Sequence, residues 1–312
     1  DRIPIDFWAS ERTMANIERE LGISYAAFLD RYDVDLRYIQ GPQYIGPPIE
    51  PGGDIWGVKR STVQAGGGGG ETYSEVTEAP LARVETVEDV ERYAGWPDPD
   101  WYDYGVIEGQ CDDILRAERV VVFMGDRLNR VAQLKPAMYL RGAEEIFMDM
   151  AAREDVAAAI FRKIRQFYKE YTTRILDAAK GKIDIILTGD DFGAQTGLLV
   201  SPDMWRAFLK PGFAEYISLI QRRGARAMHH TCGSVPDIIP DIIECGLDVL
   251  QSVQPEARGM SFADIKRKYG KAICFQGGIS IQKTMPFGST EDIRREVKGI
   301  AVGERVAICP II

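Results

Sequence analysis

Histidine is nearly absent from the 312 residues: there are two, and they are adjacent, His229 and His230. Any chemistry that needs imidazole must use that pair. Cysteine is sparse and odd in number, with Cys111, Cys232, Cys245, Cys274 and Cys309 scattered through a long chain. That excludes a disulfide framework and leaves reduced thiols or metal ligands. No apolar run approaches the roughly 18 residues of a membrane span. The opening DRIPIDFWASER has neither a basic n-region nor an apolar h-region, so a cytoplasmic protein without a membrane partner is expected. Excess positive charge is lacking too. The formal charge is −9 and is spread along the chain, which disfavours a nucleic-acid partner. Finally, no Gly-x-Gly-x-x-Gly fingerprint follows the early strands, which removes the usual dinucleotide site.

What is present is a large apolar fraction, 45% of residues, enough for one sizeable core. A single domain over residues 1–312 is expected. Arg2 to Trp8 reads as a short strand, and Glu11 to Leu21 and Ser24 to Tyr32 read as helices. Regularity then lapses. Residues 41–104 hold Pro42, Pro47, Pro48, Pro51 and the five glycines Gly66 to Gly70, and read as an irregular insertion or lid with at most a strand pair around Ile55 to Val63. The glycines read as a linker, since no helix pattern follows them to make a phosphate loop.

From Val120 onward strands and helices alternate. Strands are expected at Val120 to Gly125, Ile183 to Thr188, Ala225 to His229, Val249 to Val253, Ala272 to Gln276 and Arg305 to Cys309. Helices are expected at Ala143 to Met150, Val156 to Ala179, after the Ser201-Pro202 cap, and at Val235 to Glu244, Phe262 to Lys268 and Thr290 to Ile300. This is the pattern of a parallel sheet with crossover helices. Polar residues stand at most C-terminal strand ends, which favours a closed (β/α)8 TIM-type barrel over an open doubly wound sheet. The final covering helix is expected to be absent from this chain, which stops just after its last strand.

A barrel would gather those strand ends at one mouth: Asp126 and Arg127, Asp190 and Asp191, His230 and Cys232, Gln254 and Glu256, Gln276, and Cys309. Side chains alternate along a strand, so His230 and Cys232 share one side and His229 takes the other. Imidazole and thiolate, about 6 to 7 Å apart between Cα atoms, can grip one metal ion. Sulfur with imidazole selects zinc ahead of magnesium or calcium. A buried cysteine beside a merely hydrogen-bonded histidine is the plainer alternative. A third ligand is needed: Cys309 is the nominee, with Glu256 and Asp190 as oxygen substitutes. Asp190 and Asp191, flanked by Gly189 and Gly193, are candidate catalytic groups for a metal, a substrate or a capped turn. Gln195 is a candidate hydrogen-bond donor to substrate oxygen.

Several segments together resemble the uroporphyrinogen decarboxylase superfamily: QYIGPP (43–48), LRGAEEIFMDMA (140–151), GDDFGAQTGLLVSPDMWRAFLKP (189–211), HHTCGSV (229–235) and FQGGIS (275–280). The resemblance implies a distorted (β/α)8 barrel. The decarboxylases carry an N-terminal Met-Arg-Gln-Ala-Gly-Arg-Tyr-like loop whose arginines hold the substrate's acidic side chains, whereas Ile5 to Met14 here reads IDFWASERTM without that basic pair. The other branch, cobamide-dependent methyltransferases, binds zinc through His-x-Cys and a later Cys, which His230 and Cys232 match. By that resemblance the expected function is zinc-dependent methyl transfer between a small methoxylated or methylated compound, or a thiol, and a corrinoid, as in O-demethylation of methoxylated aromatics. No histidine is left for a corrinoid-binding Asp-x-His-x-x-Gly motif, so the corrinoid would arrive on a separate protein. A homodimer is compatible with this reading. The alternatives are a lyase that decarboxylates a non-porphyrin acid and a non-catalytic small-molecule binder.

Overall fold

A computed structural model describes residues 2–64, 72–125, 130–300 and 306–307. Seven parallel strands form one sheet among them: β1 (Leu36–Ile39), β2 (Val120–Phe123), β3 (Ile185–Gly189), β4 (Arg226–His230), β5 (Val249–Val253), β6 (Cys274–Gly277) and β7 (Val306–Ala307). Each strand pairs with the next in sequence, and the order never reverses. A doubly wound sheet would show a switch point where the order turns back. The continuous winding is that of a (β/α)8 TIM-type barrel.

The crossovers are helical. α1 (Ile107–Arg116) precedes β2. α2 (Leu134–Arg141) and the 26-residue α3 (Glu154–Ala179) lie between β2 and β3. α4 (Lys210–Arg222), α5 (Ile239–Glu244), α6 (Phe262–Tyr269) and α7 (Thr290–Ile300) follow in turn, one after each of β3 to β6. α3 buries Ile160, Ile164, Phe167, Tyr168, Tyr171 and Ile175, whose separations of 4, 3, 1, 3 and 4 residues mark one helical face, against the outside of the sheet.

Two apolar layers result from strand alternation. Residues such as Val121, Phe123, Ile186, Ala227 and Leu250 face outward and join the main core under the helices. Leu36, Val122, Leu187 and Met228, with Met124, form a separate cluster inside the barrel. That inner plug lies one pleat below His230, because Met228 and His230 are two residues apart on β4 and point the same way.

The N-terminal region departs from the expected pattern. Arg2 to Trp8 is not a strand: only Ile5 and Trp8 make isolated bridges, and Pro4 removes a ladder donor. The first barrel strand is instead Leu36–Ile39, too short and too polar at Arg37 to stand out in sequence. The N-terminal segment still serves the barrel, since buried Asp6 accepts hydrogen bonds from Tyr38 Oη of β1 at 2.7 Å and Gln276 Nε2 of β6 at 3.0 Å. The irregular insertion contains an antiparallel hairpin, Lys59–Gln64 with Thr72–Glu78. Its partner strand therefore lies beyond the glycines, while Gly66 to Gly70 are outside the described residues. The helix expected from Val235 begins at Ile239, after a turn that contains Pro236.

Candidate metal centre

Two strand ends build the site. β3 runs into Asp190 and Asp191, and β4 ends at His230 and continues through Thr231 to Cys232. Their registers place His230 opposite Gly189 on one side and Gln251 on the other. A side chain at Gly189 would collide with Arg130, whose Cδ lies 2.3 Å from where a Cβ would stand, so the open wall beside His230 depends on glycine there.

Asp191, His230 and Cys232 offer a carboxylate oxygen, a ring nitrogen and a sulfur that all lie within 4.8 Å of one another. His230 Nε2 is 3.4 Å from Cys232 Sγ and 3.6 Å from Asp191 Oδ1. On its other edge, His230 Nδ1 is 2.9 Å from Gln251 Oε1. With the amide oxygen so placed it can only accept, which puts the proton on Nδ1 and turns the Nε2 lone pair toward Cys232 and Asp191. Ser252, at the β-bulge between Gln251 and Val253, has φ +72, a left-handed conformation uncommon outside glycine. The bulge brings its Oγ to 3.9 Å from Cys232 Sγ.

The loop that carries Cys232 is fastened at several backbone atoms. Cys232 N donates to Asp191 Oδ1 at 3.1 Å, Gly233 N to Gln254 Oε1 at 3.0 Å and Ser234 N to the Ala194 carbonyl at 2.8 Å. Gly233 has φ +80, and a Cβ there would lie 2.3 Å from the Gly193 carbonyl oxygen, so no other residue fits without moving backbone.

Charge states favour a metal. Burial, followed by the nearby Arg130 charge, lowers His230 to about 4, so its imidazole is neutral at pH 7. Burial pushes Asp191 up, but the Lys135 ammonium, a His230 that is itself charged at such low pH, and hydrogen bonds from Lys135 and the Cys232 N–H outweigh it and hold the carboxyl down at about 2. Burial raises the Cys232 thiol to about 11, an unfavourable state for a lone thiolate and one that a divalent ion reverses. A soft sulfur, a neutral imidazole with its tautomer set and an ionised carboxylate are a donor set that fits zinc.

The donors line a cavity of about 360 Å³ with Trp8, Tyr38, Met124, Arg130, Lys135, Tyr139, Gln251, Ser252 and Gln254. This falls in the size range of small-molecule sites, mainly apolar with a few convergent polar groups. Lys135 Nζ sits 2.5 Å from Asp191 Oδ2.

The other sequence candidates fall elsewhere. Asp190 is 2% exposed and does not line the cavity; its carboxylate accepts from the backbone N–H groups of Gln133 (2.5 Å), Leu134 (2.8 Å) and Lys135 (2.7 Å) at the start of α2. It caps that helix across space, and the N-terminal dipole favours the anion although burial pushes its pKa up to about 6. Gln195 is exposed on the small hairpin Gly193–Leu198 and donates to Gln254 Oε1 at 3.4 Å, which places it on the rim. Glu256 is taken up by the Ser280 hydroxyl and does not line the cavity. His229 points outward under α4, stacked on Phe192 at 5.2 Å and edge-on to Phe213 at 4.8 Å, with Nδ1 2.7 Å from Thr188 Oγ1. Cys309, Asp126 and Arg127 lie outside the described residues.

Sequence reasoning did not single out Gln251, Ser252 or Lys135. A lone Gln-Ser pair inside the apolar strand VLQSV was a readable signal, since a polar residue at an inward position needs a partner. Lys135 gave none, because α2 itself was not anticipated.

Comparison with known proteins agrees with this architecture. The solved structure of a methyltransferase from Methanosarcina mazei superposes with a TM-score of 0.71 at 17% identity, covering 100% of this chain and 89% of that one. A 3-keto-D-glucoside 4-epimerase from E. coli, at 11% identity, gives a TM-score of 0.41 over 66% of this chain and 78% of the other, too low to bear on the architecture. No curated protein matches the sequence. The family model described as uroporphyrinogen decarboxylase (URO-D) matches residues 131–307, more than half of the chain and the whole stretch from α2 through β7, which carries Asp191, His230 and Cys232. The chain belongs to the uroporphyrinogen decarboxylase family.

Proposed function

We propose that this protein is a zinc-dependent methyltransferase that passes a methyl group between a small methoxylated or methylated compound, or a thiol, and a corrinoid carried by a separate protein. O-demethylation of a methoxylated aromatic is an example of such a reaction. The observation that carries the reading is the convergence of Asp191, His230 and Cys232 at the wall of one cavity. A decarboxylation would not require that donor set. The fold shared with the Methanosarcina mazei methyltransferase supports the same branch of the family.

Zinc held there would supply a Lewis acid that activates a thiol or stabilises the oxygen from which a methyl group departs. The residues have separable tasks. His230 offers Nε2 because Gln251 fixes its other nitrogen. Cys232 supplies sulfur from a loop pinned by Asp191, Gln254 and Ala194. Asp191 is the third donor among the described residues, and Cys309 is the sequence's nominee for a further thiolate. Trp8, Tyr38 and Tyr139 give the cavity aromatic walls suited to a small planar compound and to excluding water. Asp190 positions α2, and with it Lys135, rather than touching substrate. Gln195, which donates to the cavity residue Gln254, is the candidate donor to a substrate oxygen.

The reading is tested by methyl transfer from methoxylated aromatics, or to thiols, with cob(I)alamin or methylcobalamin as the partner. Zinc-loaded wild type is expected to accelerate the transfer, and Cys232→Ala to abolish it. Bound ligand recovered unchanged with no transfer by zinc-loaded protein would leave a binder, and release of carbon dioxide from an added acid would favour a lyase.

A further inference from the structure

Lys135 stands in an unusual place for a lysine. It is largely buried, it lines the same cavity as the metal donors, and its Nζ is 2.5 Å from Asp191 Oδ2. The two oxygens of Asp191 divide their work: Oδ1 faces His230 Nε2 at 3.6 Å and accepts from Cys232 N, while Oδ2 holds the ammonium. The lysine is therefore one carboxylate away from the donor set. Its backbone is equally fixed, since Lys135 N donates to the buried Asp190 at 2.7 Å. Two consecutive aspartates thus hold one residue, one by its main chain and one by its side chain.

A structural ion pair alone does not need this arrangement. Lys135 and Asp191 are each about one-third exposed, and a partly exposed pair contributes little to stability. A positive charge this close also competes with a cation for the charge of Asp191, the carboxylate that joins the two. The arrangement becomes favourable when the open metal position carries a negatively charged ligand, because the ammonium then has a second anion to interact with beside Asp191. Arg130 lines the same cavity and adds positive potential to it.

We propose that Lys135 is a specificity residue that selects an anionic ligand, a thiolate or an oxyanion, at the open position of the metal. This rests on the metal centre proposed above. It predicts that neutral ligands gain nothing from Lys135.

The test uses the full chain loaded with cobalt(II), whose visible spectrum reports ligand exchange, and azide as the anionic probe with imidazole as the neutral one. In Lys135→Met the azide Kd is expected to rise at least tenfold while the imidazole Kd and the cobalt affinity stay within threefold of wild type. Lys135→Arg, which keeps the charge, should hold azide binding within threefold and shows that the site is still folded. Azide and imidazole affinities changed equally in Lys135→Met, or cobalt affinity lost with azide binding by the loaded protein unchanged, would overturn the proposal and leave Lys135 a mere prop for Asp191. Failure of the wild type to bind cobalt would instead bring down the metal centre itself, and the inference with it.

Discussion

Replacing Asp190 separates a residue that holds the site from one that lies in it. Its carboxylate is 2% exposed and accepts three backbone N–H groups, from Gln133, Leu134 and Lys135. In Asp190→Ala these donors are left buried without a partner, and each such group costs about 1–3 kcal/mol. Allowing for partial relaxation and for water entering the vacated space, a loss of about 4 kcal/mol is expected, against a total stability of about 5–15 kcal/mol for a folded domain. Asp190→Asn keeps one acceptor oxygen and should lose roughly half as much. Asp191→Asn is the control: its carboxyl is about one-third exposed and its ion pair with Lys135 is partly screened, so less than about 1 kcal/mol is expected. Urea unfolding of the three metal-free variants at pH 7, followed by far-UV circular dichroism, gives the midpoints and slopes. The expected order is wild type and Asp191→Asn close together, then Asp190→Asn, then Asp190→Ala. Asp190→Asn with wild-type stability but no zinc would refute the reasoning and make Asp190 a ligand.

Three further outcomes follow from the same geometry. Zinc binding near pH 7.5 should release about one proton per ion, because the Cys232 thiol (about 11) is protonated beforehand whereas His230 (about 4) is neutral and Asp191 (about 2) ionised; affinity then rises with pH until the thiol ionises unaided. Calorimetry in buffers of different ionisation heat counts the protons, and a count of two would bring Cys309 into the site. Gln251→Leu removes the acceptor that orients His230 and should weaken zinc about 10- to 100-fold in a competition titration with a chelator, while the protein stays folded. Gly233→Ala forces a side chain onto the Gly193 carbonyl at a positive φ, so a loss of at least about 2 kcal/mol in thermal or urea unfolding is expected together with lost zinc; normal stability would show that the loop is less fixed than described.

Much of the fold was legible from alternation alone. β2, β3 and β5 are apolar and rich in β-branched residues, whereas β4 (RAMHH) and β6 (CFQG) are marked by their place between helical segments, and the helical crossovers make all five parallel. The same period of two separates His229 from His230: the first packs on Phe192 and Phe213 outside the sheet, and the second sits above Met228 inside it. β1 was not legible, because LRYI is four residues long with a charge at its second position and gains its strand state from pairing with β2. α2 was hidden for a related reason. Its cap is Asp190, 57 residues beyond Gln133, so no local Ser, Thr, Asp or Asn signals its start. The third donor had the same character. Asp191 was one of several strand-end carboxylates in sequence, and only the register of β3 against β4 brings it, rather than Asp190 or Glu256, to His230 and Cys232.

The metal content of the purified protein tests the central claim most directly. Elemental analysis should find about one zinc per chain in the wild type, with loss in Cys232→Ala and in Asp191→Asn, and full retention in a His229→Phe control whose side chain faces away from the cavity. Retention in Cys309→Ala leaves Asp191 as the third ligand, and loss there gives that place to Cys309. Wild-type protein that takes up no stoichiometric zinc from a metal-replete medium would contradict the account.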